Sequence, residues 1–66
     1  MFSFNPLWKK LIDNNMNKTT FATNCSISKT TLAKMSKNEY IDMKSLDKIC
    51  NYFNCNINEV VEHITE

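Results

Sequence analysis

The lysines of residues 17–38 are the side chains whose chemistry is most informative. This segment carries Lys18, Lys29, Lys34 and Lys37 and no acidic residue. Residues 39–66 carry two lysines against six acids, so the net charge of +1 hides a basic middle and an acidic C-terminal half. Clustered ammonium groups can bind phosphates, and this asymmetry is typical of a small protein with one face that meets a polyanion. An accident of composition in a short chain is the alternative.

Cys50, Cys55 and His63 are the residues that could bind a metal ion. Their C-x4-C spacing with one histidine offers three ligands at most and lacks the paired C-x2-C units of structural zinc sites. Cys25 and Cys50 fall on apolar stripes, and free cysteine is among the most buried residue types. We therefore expect core packing and no metal or other cofactor. His63 is expected in the last turn of a helix, where its charge suits the helix dipole.

No residue pattern predicts catalysis. The serine and threonine hydroxyls have no histidine–acid pair at nearby spacing, and the chain has no glycine from which to build a phosphate loop. With 66 residues, the chain forms one domain at most and buries only about 60% of its unfolded surface, which leaves little room for a substrate cleft. We expect no enzymatic activity, no catalytic residue and no small-molecule substrate.

Export and membrane insertion are not predicted either. No apolar run approaches the roughly 20 residues of a membrane span. Residues 1–10 lack the basic start and apolar stretch of a secretion signal. Three cysteines without such a signal are expected to be reduced thiols. The expected location is the cytoplasm.

Apolar residues recur at helical spacing and predict a single all-α domain of five short helices over residues 1–66. Residues 1–4 precede the helices as a candidate extended arm. The first helix is expected to begin at Asn5, a capping residue, with Pro6 at the first helical position, and to end at Asn14–Asn15. Its apolar stripe consists of Leu7, Leu11 and Ile12.

Asn17 is expected to cap a second helix that runs to about Asn24, and Ser28 a third that runs from Lys29 to about Ser36. The chain turns between them at Ser26 and Ile27. The side chains expected to face inward from the two helices are Phe21, Ala22, Cys25, Leu32 and Met35.

A fourth helix is predicted from Met43 to Tyr52 or Phe53, with Asp42 as its cap and Asn54 as a left-handed stop. Asn56 and Glu59 have capping-box spacing and predict a fifth helix. The inward residues of these two helices are Leu46, Ile49, Cys50, Phe53, Val60, Val61 and Ile64. With ten asparagines and no glycine, left-handed backbone positions are expected to fall to asparagine.

Residues 16–36, MNKTTFATNCSISKTTLAKMS, form the most informative stretch. Two capped helices flank a short turn, and the outer face of the second is polar and basic. Ala22 is small enough to let that helix approach closely. This arrangement is a helix-turn-helix, whose second helix can lie in the major groove of DNA.

The stretch resembles the Cro/phage-repressor type of helix-turn-helix regulator, also called the Xre family. The family pattern matches without gaps from Met16 to Met35, and residues 41–64 are similar to the fourth and fifth helices of small members. The resemblance implies a lambda-repressor-like fold and a transcriptional regulator that binds double-stranded DNA sequence-specifically. It also implies a repressor acting by operator occupancy, and a homodimer on a palindrome with half-sites about 34–36 Å apart.

The resemblance also implies which residues contact DNA. Those on the outer face of the third helix are expected to contact bases: Lys29, Thr30, Ala33 and Lys34. Three others occupy positions where family members hold phosphates: Lys18, Ser28 and Thr31. Three follow the third helix and are expected near the flanking backbone or minor groove: Lys37, Asn38 and Lys44. For each lysine, a solvated surface position is the alternative.

Two residues depart from the family pattern. Lys18 stands where the family usually has glutamine, and it can meet a phosphate but cannot make the paired amide bonds. Ser26 stands where glycine normally takes a positive φ, at a cost of about 1–2 kcal/mol for a residue with a side chain.

The absence of arginine rules out a bidentate arginine–guanine contact, so a monomer is expected to bind DNA weakly. The candidate dimer surfaces are the fifth helix, the Phe2/Phe4 arm and Trp8, although Trp8 is better explained as part of the core. The alternative function is a protein-interaction module, such as an antitoxin or adaptor with the same fold. Exposed apolar residues on the third helix would favour that alternative, and basic ones favour DNA.

Overall fold

Four α-helices and two short strands make up the fold. The computed structural model describes all 66 residues, Met1 to Glu66. In chain order they are β1 (Phe2–Ser3), α1 (Asn5–Asp13), α2 (Lys18–Cys25), α3 (Lys29–Ser36), α4 (Met43–Phe53) and β2 (Glu62–His63), with a 3-10 turn at Ile57–Glu59. No helix combines the length and apolar character needed to cross a bilayer.

The predicted caps of α2 and α3 are confirmed. The side-chain oxygen of Asn17 accepts from the N–H of Thr20 at 2.7 Å, and that of Ser28 accepts from the N–H of Thr31 at 3.1 Å. Asp42 precedes α4 as predicted, but its carboxylate accepts from the Ser45 hydroxyl instead of a backbone N–H.

The start of α1 differs from the prediction. Asn5 lies inside the helix, and the hydroxyl of Ser3 accepts its N–H at 3.2 Å. Leu7 and Leu11, four residues apart, are buried, whereas Ile12 lies on the outer face and is 74% exposed. The expectation that Ile12 faces inward is therefore wrong.

All four helices end in the same way, without glycine. The left-handed residues are Asn15, Ser26, Asn38 and Asn54, with φ between 52° and 58°. At each of them the N–H of the following residue donates to a carbonyl five residues earlier, which is the 6→1 bond of a Schellman motif. Asparagine thus takes three of the four positions, as predicted, and Ser26 takes the fourth.

The predicted fifth helix is wrong. Beyond the 3-10 turn the chain extends into β2, which pairs antiparallel with β1 in the register Phe2↔His63 and Ser3↔Glu62. The N–H of Ile64 donates to the carbonyl of Met1 at 2.7 Å. This pairing satisfies the backbone groups on the facing edges of the two strands. Residues 1–4 are consequently not a free arm.

The core lies where the helices and the 3-10 turn meet. Ten apolar side chains are buried: Phe4, Leu7, Leu11, Phe21, Ala22, Cys25, Ile27, Met35, Ile49 and Val60. Leu32, Leu46, Cys50 and Phe53 are half-buried against them, on the predicted inner faces of α3 and α4. The Phe21 and Phe53 rings stack at 6.2 Å between centroids and join α2 to α4.

Candidate nucleic-acid interface

The outer face of α3 carries the four side chains predicted to contact bases. Lys29, Thr30, Ala33 and Lys34 are all exposed. Their spacing places them on one side of the helix, opposite the buried Met35. The core thus holds α3 by one face and leaves the other polar, basic and free of large apolar groups.

The first turns of α2 and α3 have an unusual charge. Lys18 and Lys29 occupy the first helical positions, and neither first turn contains an acid. The positive end of a helix dipole favours acidic residues there and disfavours cations. The helix dipole therefore does not account for either lysine, and the contacts described below account for Lys18 only in part.

Ser28 and Thr31 are coupled through the cap of α3. The Ser28 hydroxyl accepts the Thr31 N–H and donates to the Thr31 side-chain oxygen at 3.0 Å. Since Thr31 accepts in that bond, its own hydroxyl proton remains available to an outside acceptor. Ser28 therefore caps α3, and the Thr31 hydroxyl remains free to donate a hydrogen bond to another acceptor.

Lys18 bridges three helices. Its ammonium lies 4.2 Å from the centroid of the Trp8 ring and donates to the Ser36 hydroxyl at 3.3 Å. The Ser36 hydroxyl donates in turn to the Leu32 carbonyl at 3.1 Å. An ammonium has three N–H donors, so Lys18 is held in place and can still donate a hydrogen bond to another acceptor.

The three residues predicted at the flank of the site differ in their surroundings. Lys37 and Lys44 are exposed, the first at the end of α3 and the second in the first turn of α4. Asn38 is half-buried, and its side-chain oxygen accepts the N–H of Phe4 at 3.2 Å. Asn38 therefore has a structural role that the sequence did not reveal.

The turn of the motif has the expected geometry. Ser26 has φ 58° and ψ 42°, in the left-handed region. The N–H of Ile27 donates to the Ala22 carbonyl at 2.8 Å, and both side chains are buried. Lys48 of α4 reaches the Ser26 carbonyl at 3.4 Å. The turn is thus fixed from inside by Ile27 and from outside by Lys48.

Sequence reasoning missed the partners of the basic residues. Trp8 and Ser36 hold the Lys18 ammonium, and Lys48 supports the turn. Trp8 is half-buried against the core and beneath Lys18, in agreement with its interpretation as a core residue. Nothing in the spacing of these residues pairs them, because they come together only when α1, α3 and α4 pack on α2.

The candidate metal residues do not come together as a set. Cys50 and Cys55 are neighbours, but His63 lies on β2 with its ring 5.0 Å from that of Phe2. No group of three or more histidine, cysteine or acidic side chains is placed to hold an ion. Cys25 is buried, which raises the pKa of its thiol to about 11. The expected position of His63 in a helical turn is wrong because that helix does not form.

An apolar groove lies beside the loop that follows α3. Its volume is about 290 Å³, and eight of its nine lining residues are hydrophobic. The exposed members are Phe2, Tyr40, Met43 and Ile57, of which Tyr40 is 77% and Met43 73% exposed. The groove therefore exposes apolar area close to the end of α3.

Comparisons with known proteins identify the family to which this fold belongs. The family model for the Cro/C1-type helix-turn-helix DNA-binding domain matches residues 6–66. Among solved structures, the chain is similar to the crystal structure of the transcriptional regulator VanUg, form II, with 40% sequence identity and a TM-score of 0.93, over 98% of this chain and 87% of that one. No curated protein matches the chain. The chain therefore belongs to the Cro/C1-type helix-turn-helix DNA-binding domain family.

Proposed function

We propose that this protein is a sequence-specific regulator that represses transcription by occupying a double-stranded DNA operator. In this proposal α3 lies in the major groove, where Lys29, Thr30, Ala33 and Lys34 contact bases. The observation that carries it is the charge at the start of both helices of the motif. Lys18 and Lys29 stand where a helix favours acids, in a segment with no acid at all, and DNA phosphates would supply the missing negative charge.

The hydrogen bonds around the motif support the remaining proposed contacts. In this proposal two residues hold phosphates beside α3: Lys18, which Trp8 and Ser36 orient, and Thr31, which has a free hydroxyl proton. Ser28 acts through the cap of α3. Lys37 and Lys44 flank the site, and Asn38 keeps one free amide group for the backbone or minor groove. Phosphate contacts fix the position of the protein, and contacts from α3 select the sequence.

Selection from randomised duplex DNA, followed by sequencing, tests the proposal. The wild type is expected to enrich one motif, and Lys29→Ala/Lys34→Ala is expected to lose that enrichment. Lys9→Ala, an exposed lysine on the outer side of α1, is the matched control and should enrich the same motif. Replacing a lysine that binds a phosphate, such as Lys18, should lower the salt dependence of binding by about one unit of slope. No enrichment in the wild type would contradict the proposal and favour the protein-interaction module.

Repression itself needs a separate measurement. A reporter promoter that carries the enriched motif across its polymerase site should fall in activity when the protein is expressed. The Lys29→Ala/Lys34→Ala variant should leave the reporter unchanged. A rise in reporter activity with the wild type would show activation and contradict the steric mechanism.

We also propose that two copies bind together through the apolar groove. One α3 without arginine offers few strong base contacts, and a second copy would double both base and phosphate contacts. The groove beside the loop after α3 exposes four apolar side chains: Phe2, Tyr40, Met43 and Ile57. Of the residues in the predicted dimer surface, Phe2 lines this groove, whereas Phe4 is buried in the core and Trp8 packs against it.

Sedimentation velocity with and without operator DNA tests the dimer. Met43→Lys should weaken self-association and lower the cooperativity of DNA binding. Ile12→Lys is the matched control, since Ile12 is 74% exposed and lies outside the groove. Equal effects of the two substitutions would contradict the assignment of this groove as the interface.

A further inference from the structure

The Schellman motif that ends α4 brings two thiols together. The N–H of Cys55 donates to the Cys50 carbonyl at 3.0 Å. The covalent bonds that join each Cα atom to the donor nitrogen or the acceptor oxygen add to this hydrogen bond. Together they limit the distance between the Cα atoms of Cys50 and Cys55 to roughly 7 Å. Side chains at these two positions of the motif commonly contact each other. In α1 the positions hold Leu11 and Met16, but here they hold Cys50 and Cys55.

Both thiols border an open cleft of about 230 Å³ on the outside of the protein. Its lining residues are Cys50, Asn51, Asn54, Cys55, Asn56 and Glu59. Cys50 and Cys55 are free and half-buried, whereas Cys25 is buried in the core. Two of the three free cysteines therefore border the same cleft, while the third is buried.

The surroundings of Cys50 oppose negative charge on its sulfur. Burial raises the pKa of Cys50, and Cys55 and the carboxylates of Asp47 and Glu59 raise it further. A bis-thiolate complex of a monovalent ion would leave a net negative charge in this setting. No third cysteine, histidine or acid is placed to complete the shell of a metal that needs three or four ligands. The pair therefore suits a partner that needs two sulfurs and leaves both uncharged.

We propose that Cys50 and Cys55 form a two-thiol site that binds a monosubstituted trivalent arsenical through both sulfurs. In the hydrated arsenoxide, two hydroxyl groups are bonded to arsenic. Each thiol displaces one hydroxyl, so two As–O bonds break and two S–As bonds form. The two thiol protons leave with the hydroxyls as two water molecules. Arsenic stays trivalent, no oxidant is consumed, and both sulfurs end without charge.

Phenylarsine oxide is the probe, used with the full chain in its reduced form. Intact-mass spectrometry should show one adduct per chain. Thiols titrated in denaturant should fall from three to one, since two of the three cysteines are consumed. The adduct should survive an excess of 2-mercaptoethanol, which removes arsenic held by one sulfur, and should be released by a dithiol such as dimercaptopropanol.

Matched cysteine variants locate the adduct. Cys50→Ser and Cys55→Ser should each lose the adduct in 2-mercaptoethanol, whereas Cys25→Ser should retain it as the wild type does. Circular dichroism of each variant shows whether it is folded. A wild-type adduct that 2-mercaptoethanol removes would overturn the proposal, as would one retained by Cys50→Ser. Loss of two thiols without added mass would also overturn it and would indicate an oxidisable pair.

The site lies on α4 and the turn after it, outside α2 and α3. Failure of arsenical binding therefore leaves the DNA-binding proposal untouched, and the reverse also holds.

Discussion

The side-chain oxygen of Asn38 accepts the backbone N–H of Phe4 across 3.2 Å. Asn38 also takes the left-handed conformation that ends α3, with φ 56°. One residue thus ends the helix proposed to contact bases and attaches the segment between β1 and α1 to it. The position of α3 is consequently coupled to the pairing of the two strands.

Asn38→Gly should separate these two tasks. Glycine accepts the left-handed backbone more readily than asparagine but leaves the Phe4 N–H without its acceptor, at a cost of about 1–3 kcal/mol where it is shielded from water. We expect a lower free energy of unfolding in urea. Asn15→Gly is the control, because Asn15 has φ 53° and makes no side-chain hydrogen bond. Its stability should stay the same or rise. Equal changes in both variants would contradict a role for the Asn38 side chain.

Ser26→Gly should stabilise the protein. Ser26 holds φ 58° with a Cβ atom that clashes in the left-handed region, and relief of this clash is worth about 1–2 kcal/mol. Thermal unfolding should show a higher midpoint. Ser26→Ala keeps the Cβ and should give no gain. A midpoint that falls on the glycine substitution would mean that the serine side chain supports the turn in another way.

Lys29→Glu should raise stability while it removes DNA binding. An acid at the first position of α3 suits the helix dipole, worth about 0.3–1 kcal/mol, and replaces an unfavourable cation. The same change places a carboxylate against the proposed phosphate and base surface. Urea denaturation and binding to the selected operator measure the two effects on one sample. Lys29→Gln should lie between the wild type and Lys29→Glu in both stability and DNA binding. A Lys29→Glu variant that loses stability as well as binding would contradict the prediction and indicate misfolding.

Asp42 should make stability fall in acid. The hydroxyl of Ser45 holds the pKa of the Asp42 carboxyl below its ordinary value of 3.8. The carboxyl of Asp42 therefore binds a proton more readily in the unfolded chain than in the folded one. Its contribution to the free energy of unfolding is complete above pH 3.8 and is lost as the pH falls through 3.8 toward the folded-state pKa. Asp42→Asn should lose less stability than the wild type between about pH 6 and about pH 3. Asp13→Asn serves as the comparison, and identical acid profiles for Asp42→Asn and wild type would refute the assignment.

The helix-turn-helix was predictable because its signals are local. Asn17 and Ser28 cap helices through bonds that span three residues, and Ser26 marks a turn closed by its immediate neighbours. Such contacts depend on sequence spacing alone. The sequence therefore predicts the ends of α2, α3 and α4 to within one or two residues of those in the structure. It also predicts the left-handed stop at Asn54.

The errors occur where distant segments meet. Residues 60–64 have an apolar pattern that suits a helix, but backbone bonds to residues 1–3, more than sixty positions away at the Met1–Ile64 pair, draw them into a strand. Glu59 is not part of a capping box because its carboxylate pairs with the ammonium of Lys10 at 3.1 Å. Likewise, the Asn38 bond to Phe4 and the contacts of Lys18 with Trp8 and Ser36 become visible only after packing. The exposure of the candidate lysines could be predicted from the sequence, but the side chains that orient Lys18 could not.

Pairing of β1 with β2 also determines how the fold would respond to mechanical load. The Met1 ammonium donates to the Ile64 carbonyl at 2.8 Å, so residues 1 and 64 lie side by side at the open end of the ribbon. Force that pulls Met1 and Glu66 apart would break the backbone hydrogen bonds between β1 and β2 one after another, beginning at the Met1–Ile64 pair. The ribbon should therefore open at low force, and the next attachments to yield would be those of Phe4 to Asn38 and of Leu7 to the Val60 carbonyl.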